Sequence, residues 1–431
     1  MAFEKGRRIK VEGGKELEII DKLGEGGQGE VYRVKYDGDT YALKWYFAGK
    51  MTNPQRFYDN ILNNIKQGSP SSAFLWPKAI TEWENGTYGY IMDLRPQEYK
   101  DFSRFLLAKE RFSSTGAVIN AALEIVGAFY ALHNRGFSYQ DLNDGNFFVD
   151  PQSGKVLICD NDNVAPYGEN LGIAGKCRYM APEVVTGESL PSIHTDRFSL
   201  AVVLFMLLFM NHPLEGKKTM CPCLTDAHER RFYGTDPLFI FDKTDASNPP
   251  VRGVHANAIR FWPVYPKFIR EKFCEAFSRE SMIGDDKRHR VTEKDWQETF
   301  LRLRDCLVPC PSCKDETYID TSDSQYRCIS CGLGMPTPPI LKAKKTEVIL
   351  LPGVPVTVRQ ISSSANEEEL IVGKVVESKA RPGAIGLKNT SNNNWIGILP
   401  NGDQRPFEPG KTVPIKRGLK INFGGKEAEI Q

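Results

Sequence analysis

The chain has 431 residues and a net charge of +2 at pH 7, with 41% hydrophobic and 26% charged residues. This length predicts about two to four domains with room for a buried core, and the small net charge gives no bulk attraction to nucleic acid or to an anionic membrane. The N-terminus lacks the apolar segment of a signal peptide, and the longest apolar run, residues 200–210, is about half of a membrane span and predicts a buried helix. Ten cysteines, four of them in Cys-x-x-Cys pairs, fit a reducing compartment. We therefore expect a cytoplasmic, globular protein without membrane or nucleic-acid partners.

A glycine-rich loop between two strand-like segments is the first strong pattern. Residues 17–23 alternate as a strand does, and residues 24–31 read Gly-Glu-Gly-Gly-Gln-Gly-Glu-Val. Residues 32–36 follow the loop, and an Asp-Gly hairpin signal then leads into residues 40–46, the next strand. A Gly-x-Gly-x-x-Gly motif alone is equally typical of a dinucleotide-binding fold. Here it joins two antiparallel strands and opens no helix, which is evidence against that fold. Its glycines would let the backbone approach phosphate groups.

Two carboxylates and an amide follow the next long helix. Residues 117–133 have helical periodicity, and the turn-forming loop after them contains Asp141 and Asn146. Asp160 ends the apolar run at residues 156–159, which predicts a buried strand. An acid that accepts a hydroxyl proton, together with an amide and a second acid that hold Mg²⁺, is a phosphoryl-transfer constellation.

These motifs, in this order, resemble those of the eukaryotic-like serine/threonine protein kinases. Asp141 and Asn146 match the spacing of His-Arg-Asp-Leu-x-x-x-Asn, Asp160 stands at the start of Asp-Phe-Gly, and residues 179–183 match Ala-Pro-Glu. The resemblance covers about residues 17–303.

The resemblance implies an α+β protein with a bilobal protein-kinase fold at residues 1–305. The small lobe would cover about residues 15–94 and the large lobe about residues 95–305. Arg290 would form an ion pair with Glu183 in the large lobe. The implied cofactors are ATP and Mg²⁺.

The same resemblance implies roles for the site residues. Asp141 would be the catalytic base, and Asn146 and Asp160 would hold Mg²⁺. Lys44 resembles the Val-Ala-Ile-Lys lysine and would orient the phosphates. The other residues implied to contact ATP are Gly24, Gly26, Gly27, Gly29, Val31, Ala42, Met92, Asp93 and Leu94.

The loop around Asp141 departs from the family pattern. His-Arg-Asp is here Tyr139-Gln140-Asp141, and family members often use the arginine to bind a phosphorylated activation segment. No serine or threonine lies between Asn163 and Arg178. We predict activity that is independent of phosphorylation in that segment.

A second pair of changes concerns positive charge near the catalytic base. The lysine usual two residues after the base is here Asn143, and the threonine of the usual Gly-Thr pair is Lys176. Our hypothesis is that Lys176 supplies, from the other side, the charge that Asn143 lacks, so both are candidate catalytic residues. The alternative is that Lys176 is a solvated loop residue.

The acidic partner of Lys44 is not fixed by the sequence. The helix predicted at residues 56–65 lacks the glutamate that kinases place there, and Asp59 is its only acid. Asp-Asn-Asp at residues 160–162 replaces Asp-Phe-Gly. Asp162 could be a second metal ligand, but we favour a turn residue.

Four cysteines at residues 306–334 have the spacing of a zinc ribbon. They form two Cys-x-x-Cys pairs, and four thiolates satisfy tetrahedral Zn²⁺ in a segment too short to fold without metal. Iron and a redox disulfide are the alternatives, and Cys306 is a spare thiol. The predicted ligands are Cys310, Cys313, Cys328 and Cys331.

The last part of the chain is predicted to be all-β. Residues 335–345, rich in proline, predict a stiff linker. Residues 346–431 alternate strand-like runs, one of them at 356–359, with turns, and this pattern predicts a small β-sandwich. Residues 386–424 loosely resemble forkhead-associated (FHA) domains but lack their phosphothreonine-reading pattern, so we expect a protein-docking module.

Residues 233–242 and 248–250 resemble an insertion in bacterial kinases that carry C-terminal zinc ribbons. Those kinases occur beside von Willebrand A-domain proteins and metal-dependent phosphatases in stress systems, which implies such partners in addition to protein substrates.

The leading interpretation is a bacterial serine/threonine protein kinase. One alternative is a pseudokinase scaffold that acts through its C-terminal domains. Another is a small-molecule kinase, since residues 141–143 resemble the loop of aminoglycoside-type phosphotransferases; the full Ala-Pro-Glu segment and Arg290 are evidence against it.

Overall fold

The chain divides into two compact units. The computed structural model describes residues 3–172, 175–284, 289–362, 370–378, 381 and 383–431. The first unit contains Met1–Ser113, Asn120–Trp262 and Glu271–Lys294, and the second contains Ser114–Ile119, Pro263–Arg270 and Asp295–Gln431.

A six-stranded antiparallel sheet and one helix open the first unit. The strands are β1 (Arg8–Lys10), β2 (Glu16–Glu25), β3 (Gly29–Tyr36), β4 (Asp39–Tyr46), β5 (Ala79–Ile80) and β6 (Gly89–Met92), in the spatial order β1-β2-β3-β4-β6-β5. The helix is α1 (Pro54–Gln67). Phe57 and Ile61 of α1 are buried in one apolar cluster with Tyr46 and Tyr90 of the sheet. Burial of this face therefore holds α1 on the sheet.

Local sequence sets both ends of α1. The side chain of Asn53 accepts a hydrogen bond from the backbone N–H of Arg56 at 3.2 Å, and Pro54 occupies the first turn, where no N–H partner is needed. The helix ends at Gly68, whose φ of 72° is costly for other residues.

The glycine-rich loop closes a hairpin between β2 and β3. Glu25 pairs with Glu30 across the hairpin, and the N–H of Gly26 donates to the carbonyl oxygen of Gly29 at 2.9 Å. A Cβ at Gly29 would lie 2.2 Å from the carbonyl oxygen of Trp45, so only glycine fits there. The loop joins two strands, as the sequence predicts.

Helices and short strands follow the sheet in the chain. The helices are α2 (Phe102–Leu106), α3 (Thr115–Asn134), α4 (Pro182–Val185), α5 (Ile193–Phe209), α6 (Asp226–Glu229), α7 (Ala256–Phe261), α8 (Lys267–Ala276), α9 (Arg279–Ile283) and α10 (Glu293–Asp305). The strands are β7 (Lys100–Asp101), β8 (Phe137–Ser138), β9 (Phe147–Val149), β10 (Val156–Ile158) and β11 (Ala165–Pro166). β7, β9 and β10 form one small sheet, and β8 pairs with β11.

Helix α5 is the buried helix predicted from the apolar run at residues 200–210. A capping box between Ser192 and Thr195 starts it, because each side chain bonds the backbone N–H of the other residue. All side chains from Phe198 to Phe209 are buried. The prediction of a buried helix is confirmed.

Helix α3 is mostly apolar. Among the described residues, it alone is long and apolar enough to cross a membrane, with a mean hydropathy of 1.5. Half of its most apolar 18-residue stretch is buried inside the structure, and the core helices of globular proteins can be equally long and apolar. The helix is therefore weak evidence for a membrane span.

The second unit contains two short hairpins followed by two antiparallel sheets and helix α11 (Val358–Ser362). The hairpins are formed by β12 (Leu307–Pro309) with β13 (Glu316–Tyr318) and by β14 (Tyr326–Arg327) with β15 (Gly334–Met335). The later strands are β16 (Ile340–Lys342), β17 (Glu347–Ile349), β18 (Pro355–Thr357), β19 (Ile371–Glu377), β20 (Ile385–Asn389), β21 (Trp395–Ile398), β22 (Gln404–Phe407), β23 (Thr412–Pro414), β24 (Lys420–Asn422) and β25 (Glu427–Ile430). They form sheets in the orders β17-β16-β25-β24-β21-β22 and β18-β19-β20-β23.

One apolar cluster connects the hairpins to both sheets. Val308 and Tyr326 of the hairpins share it with Leu341 and with Trp395, which is 1% exposed. The linker predicted at residues 335–345 is therefore not a free spacer. Its first residue ends β15, and its central residues form β16, because Leu341 belongs to the common core.

The strand predicted at residues 356–359 is also shorter than expected. β18 ends at Thr357, and the chain then turns into α11. The Gln360 side chain accepts from the N–H of Thr357 at 2.9 Å, and the Thr357 hydroxyl accepts from the N–H of Gln360 at 3.4 Å. This reciprocal cap favours a helix start over continuation of the strand.

Candidate active site

Lys44 lies on β4 and faces two carboxylates. Its Nζ is 2.9 Å from Oδ2 of Asp162 and 3.2 Å from Oδ1 of Asp160. Burial lowers the pKa of Lys44, but the charges of the two aspartates outweigh burial and raise the pKa above its ordinary value. Lys44 therefore stays charged in a buried site.

Asp162 is the deeper of the two partners, with its side chain 0% exposed against 38% for Asp160. The hydroxyl of Tyr46 donates to Asp162, and the hydroxyl of Tyr90 donates at 3.1 Å. Burial raises the pKa of Asp162, but Lys44 and the Tyr46 hydroxyl outweigh burial and hold this pKa below its ordinary value. We favoured a plain turn residue at position 162. That interpretation is wrong, because this carboxylate is the buried partner of Lys44.

Asp59, the only acid of α1, is not near Lys44. It is exposed and accepts a hydrogen bond from Gln55 at 2.9 Å. The face of α1 toward the site carries Asn60 and Asn64 instead, whose amides donate to the carbonyl oxygen of Val164 at 2.8 Å and 3.0 Å. Helix α1 therefore binds the chain just after Asp162.

Asp141 lies in the loop between β8 and β9. The amide of Asn143 donates to its Oδ1 at 3.1 Å, and the amide of Asn146 donates to its carbonyl oxygen at 2.8 Å. Burial raises the pKa of Asp141, and the negative charge of Asp160 also raises it, so that it reaches about 6 in spite of the Asn143 hydrogen bond. A carboxylate with such a pKa is suited to accept a proton near neutral pH.

The predicted magnesium ligands lie on neighbouring segments. The N–H of Cys159, which precedes Asp160, donates to the carbonyl oxygen of Asn146 at 3.0 Å. Asp160 has a φ of 54°, a left-handed conformation that is uncommon outside glycine. Carboxylate and amide oxygens are ligands that Mg²⁺ prefers, so this donor set fits the ion.

Asn161, at the position of the family's phenylalanine, is buried and tied to the backbone. Its amide donates to the carbonyl oxygens of Leu75 at 2.9 Å and Ile158 at 3.0 Å. These bonds replace the apolar packing that the sequence lacks. They fix the segment that carries Asp160 and Asp162.

A cleft of about 1510 Å³ brings the predicted nucleotide contacts together. Asp141 and Asp160 lie on its wall with Lys44. The other predicted residues that line it are Gly24, Gly26, Gly27, Gly29, Val31, Ala42, Met92, Asp93 and Leu94. Its volume is ample for a nucleotide.

Gln140 has a structural role that the sequence did not reveal. It has a φ of 70°, and its Nε2 donates to the carbonyl oxygen of Glu169 at 2.6 Å. Its Oε1 accepts from the N–H of Leu171 at 3.3 Å. The side chain thus fixes the backbone of the activation segment with neutral hydrogen bonds.

The loop that contains Asp141 is also held from α5. Asp196 accepts hydrogen bonds from the backbone N–H groups of Tyr139 at 2.6 Å and Gln140 at 3.3 Å. His133 lies 3.2 Å from Asp196 and 2.8 Å from Glu293. Burial lowers the pKa of His133, but its bonds to the two carboxylates raise the pKa to about 9. A charged His133 therefore bridges two buried acids.

Lys176 lies beside the loop that contains Asp141. Its Nζ is 3.5 Å from Oδ1 of Asp144, and its side chain is 55% exposed. Its charge lowers the pKa of Asp141, although less than burial raises it. Position and charge are compatible with the hypothesis that Lys176 compensates for Asn143, which remains a prediction.

The predicted ion pair between Glu183 and Arg290 is present. Both nitrogen–oxygen distances are 2.8 Å, and both side chains are buried. Arg290 also donates to the carbonyl oxygen of His194 at 3.0 Å. The pair connects the end of the activation segment to the start of α5.

The four predicted zinc ligands converge in the second unit. Their sulfur atoms all lie within 4.8 Å of one another. Cys310 is 3.9 Å from Cys331, and Cys313 is 3.6 Å from Cys328. A tetrahedral ion with zinc–sulfur bonds of about 2.3 Å requires sulfur separations of about 3.8 Å, so Zn²⁺ fits this set. Cys306 lies outside the cluster.

A family model described as "Protein kinase domain" matches residues 17–262. This match covers more than half of the chain, and the chain therefore belongs to the protein kinase family. Known proteins similar to it include protein kinases from bacteria and archaea.

Protein kinase YegI of Escherichia coli (strain K12) is 24% identical over 318 residues, 67% of this chain and 45% of YegI. Serine/threonine-protein kinase ArnS of Sulfolobus acidocaldarius is 26% identical over 244 residues, 45% of this chain and 37% of ArnS. The chain thus spans less than half the length of these relatives. Among solved structures, the PknI kinase domain of Mycobacterium tuberculosis is 18% identical, with a TM-score of 0.45, and the match covers 70% of this chain and 100% of that domain.

Proposed function

We propose that the chain is an ATP-dependent protein kinase that transfers the γ-phosphate to serine or threonine. The observation that carries this proposal is the convergence of Lys44, Asp141 and Asp160 on one cleft. The relatives named as serine/threonine kinases support the choice of acceptor.

Asp141 would accept the proton of the substrate hydroxyl. With a pKa of about 6 it is mostly ionised at pH 7 and still basic enough to help the transfer. Asn143 holds one carboxylate oxygen by a hydrogen bond at 3.1 Å and leaves the other oxygen for the substrate. Lys44 would orient the phosphates under the loop of β2 and β3.

Asn146 and Asp160 would hold Mg²⁺ together, because the backbone of Asn146 bonds Cys159, the residue before Asp160. Bound Mg²⁺ neutralises phosphate charge that builds up during the transfer. Asp160 is the more exposed of the two carboxylates near Lys44, which leaves its oxygens open to an ion from the cleft.

The activation segment would not need phosphorylation. Gln140 bonds the backbone at Glu169 and Leu171, where family members often use an arginine that needs a phosphate partner. Tyr167 is the one hydroxyl side chain between Asn163 and Arg178 in the sequence. Phosphatase treatment and Tyr167→Phe should both leave the transfer rate unchanged; a stimulatory phosphate mapped to this segment would overturn the proposal.

The second unit would dock protein partners. Zn²⁺ would support its two hairpins, and the two sheets would provide an interaction surface of the FHA-like kind. The bacterial stress setting, with von Willebrand A-domain and phosphatase partners, is part of this proposal. A pseudokinase scaffold is the second candidate, favoured by the absence of a glutamate on α1.

Phosphate transfer from Mg²⁺-ATP tests the choice between these candidates. Purified protein, alone and with a generic acceptor, should incorporate acid-stable phosphate on serine or threonine, and Asp160→Ala should abolish it. Asp59→Asn, which changes the exposed acid of α1, is the matched control and should retain activity. ATP binding without incorporation would favour the scaffold.

A further inference from the structure

We infer that Asp162 is the counter-ion that positions Lys44 on the phosphates of ATP, in place of a glutamate on α1. In protein kinases the strand lysine pairs with a glutamate of the helix that α1 represents, and this pair must be in place for activity. Helix α1 has no acid that could do this, because Asp59 is exposed and bonded to Gln55. The inference rests on the proposed function in that it concerns the same site.

The two aspartates near Lys44 differ in the way the protein holds them. Asp160 is partly exposed on the cleft wall, so a metal ion in the cleft can bind this carboxylate and draw it away from Lys44. Asp162 is completely buried and receives hydrogen bonds from the hydroxyls of Tyr46 and Tyr90. A buried, hydrogen-bonded carboxylate keeps its position and its charge when the contents of the cleft change.

The burial of the pair also shows why it is strong enough to direct Lys44. Charges 2.9 Å apart attract each other far more in a dry protein interior than at the surface. Burial of a charge is tolerated only with a partner and hydrogen bonds, and Lys44 with the two tyrosines provides them. Asp162 is therefore a positioning residue that acts through Lys44.

Helix α1 contributes to this arrangement through two side-chain amides. Asn60 and Asn64 donate to the carbonyl oxygen of Val164, two residues after Asp162. The helix thus fixes the segment that carries the acid and supplies no acid of its own. Lys44, its counter-ion and α1 form one connected set without a glutamate.

A double-mutant cycle on nucleotide affinity tests the inference. We would measure dissociation constants of Mg²⁺-ATP and of adenosine for the full chain and for Asp162→Asn, Lys44→Met and the double variant. Asp162→Asn should weaken ATP binding on the order of tenfold and leave adenosine within about twofold, as Lys44→Met does. The double variant should be no worse than Lys44→Met alone, because the aspartate acts through the lysine. Asp59→Asn is the matched control.

Additive losses, or ATP affinity unchanged in Asp162→Asn, would overturn the inference. If Asp162→Asn does not fold alone, the double variant still decides, since it leaves no unpaired buried charge. A further loss of ATP preference in the double variant, relative to Lys44→Met, refutes the inference. Because binding needs no turnover, a protein that binds ATP but transfers no phosphate would refute the proposed function and leave this test intact.

Discussion

The raised pKa of Asp141 predicts a pH dependence of the phosphate-transfer rate. Burial raises its pKa to about 6, and the carboxylate can act as the proposed base only when it is ionised. We expect kcat/KM for the protein substrate to rise with pH through about 6 and to level off above it. Lys176→Met should move this midpoint upward, because the lysine charge lowers the pKa. A rate that stays constant down to pH 5 would contradict this role for Asp141.

Lys176 allows a second test of charge near the catalytic base. If its ammonium group compensates for Asn143, Lys176→Met should lower kcat on the order of tenfold, equivalent to about 1.4 kcal/mol of transition-state stabilisation. The affinity for ATP should change little. Lys109→Met removes a similarly exposed lysine and serves as the control. Equal rates for the two variants would indicate a solvated loop residue.

Some residues of the site could be predicted and others could not. The motifs fix the spacing of Asp141, Asp160 and Lys44 along the chain, and these three residues line one cleft. The predicted roles of these residues and of Asn146 stay predictions. The contact of Asp162 with Lys44 was missed, because it spans 118 positions and no local pattern encodes it. The absence of a glutamate from α1, together with a second acid after Asp160, was the one available signal.

Among the elements, α4 carries one side of a buried ion pair. Arg290 binds Glu183 of α4 through two bonds of 2.8 Å. Arg290→Met leaves this carboxylate buried without its partner, a change that typically costs about 3–5 kcal/mol. We expect a lower thermal unfolding midpoint for the first unit, measured by scanning calorimetry. Lys15→Met breaks the exposed pair with Asp37 and should cost at most about 1 kcal/mol.

The elements were predicted best where periodicity is strong. The hairpin of β2 and β3 and helix α5 followed from alternation and from a continuous apolar run. The strand β16 was hidden in the proline-rich stretch, because three residues give no periodic signal and only the shared core identifies them. The start of α11 depends on a cap between Thr357 and Gln360. The β-branched residues around Thr357 favour a strand, so the sequence did not reveal this cap.

On the scale of the whole chain, the second unit joins two segments that the sequence analysis predicted as separate domains, the cysteine segment at residues 306–334 and the all-β segment at residues 346–431. The two hairpins that carry the cysteine cluster and the two sheets bury side chains in one apolar cluster, so they form one core. Arg359 and Gln360 of α11 both bond Asp305 at the end of α10, which connects α11 to that helix. Loss of metal from the cysteine cluster should therefore also destabilise the two sheets.

Removal of zinc tests this coupling. Metal analysis should find one Zn²⁺ per chain, lost in Cys310→Ser and retained in Cys306→Ala, whose thiol lies outside the cluster. Structural zinc can contribute about 10–16 kcal/mol to folding of such a segment. Since Val308 and Tyr326 of the hairpins share the cluster of Trp395, chelation should lower the unfolding midpoint of the whole second unit. A calorimetric scan that is unchanged by chelator would show that the sheets are stable without the ribbon.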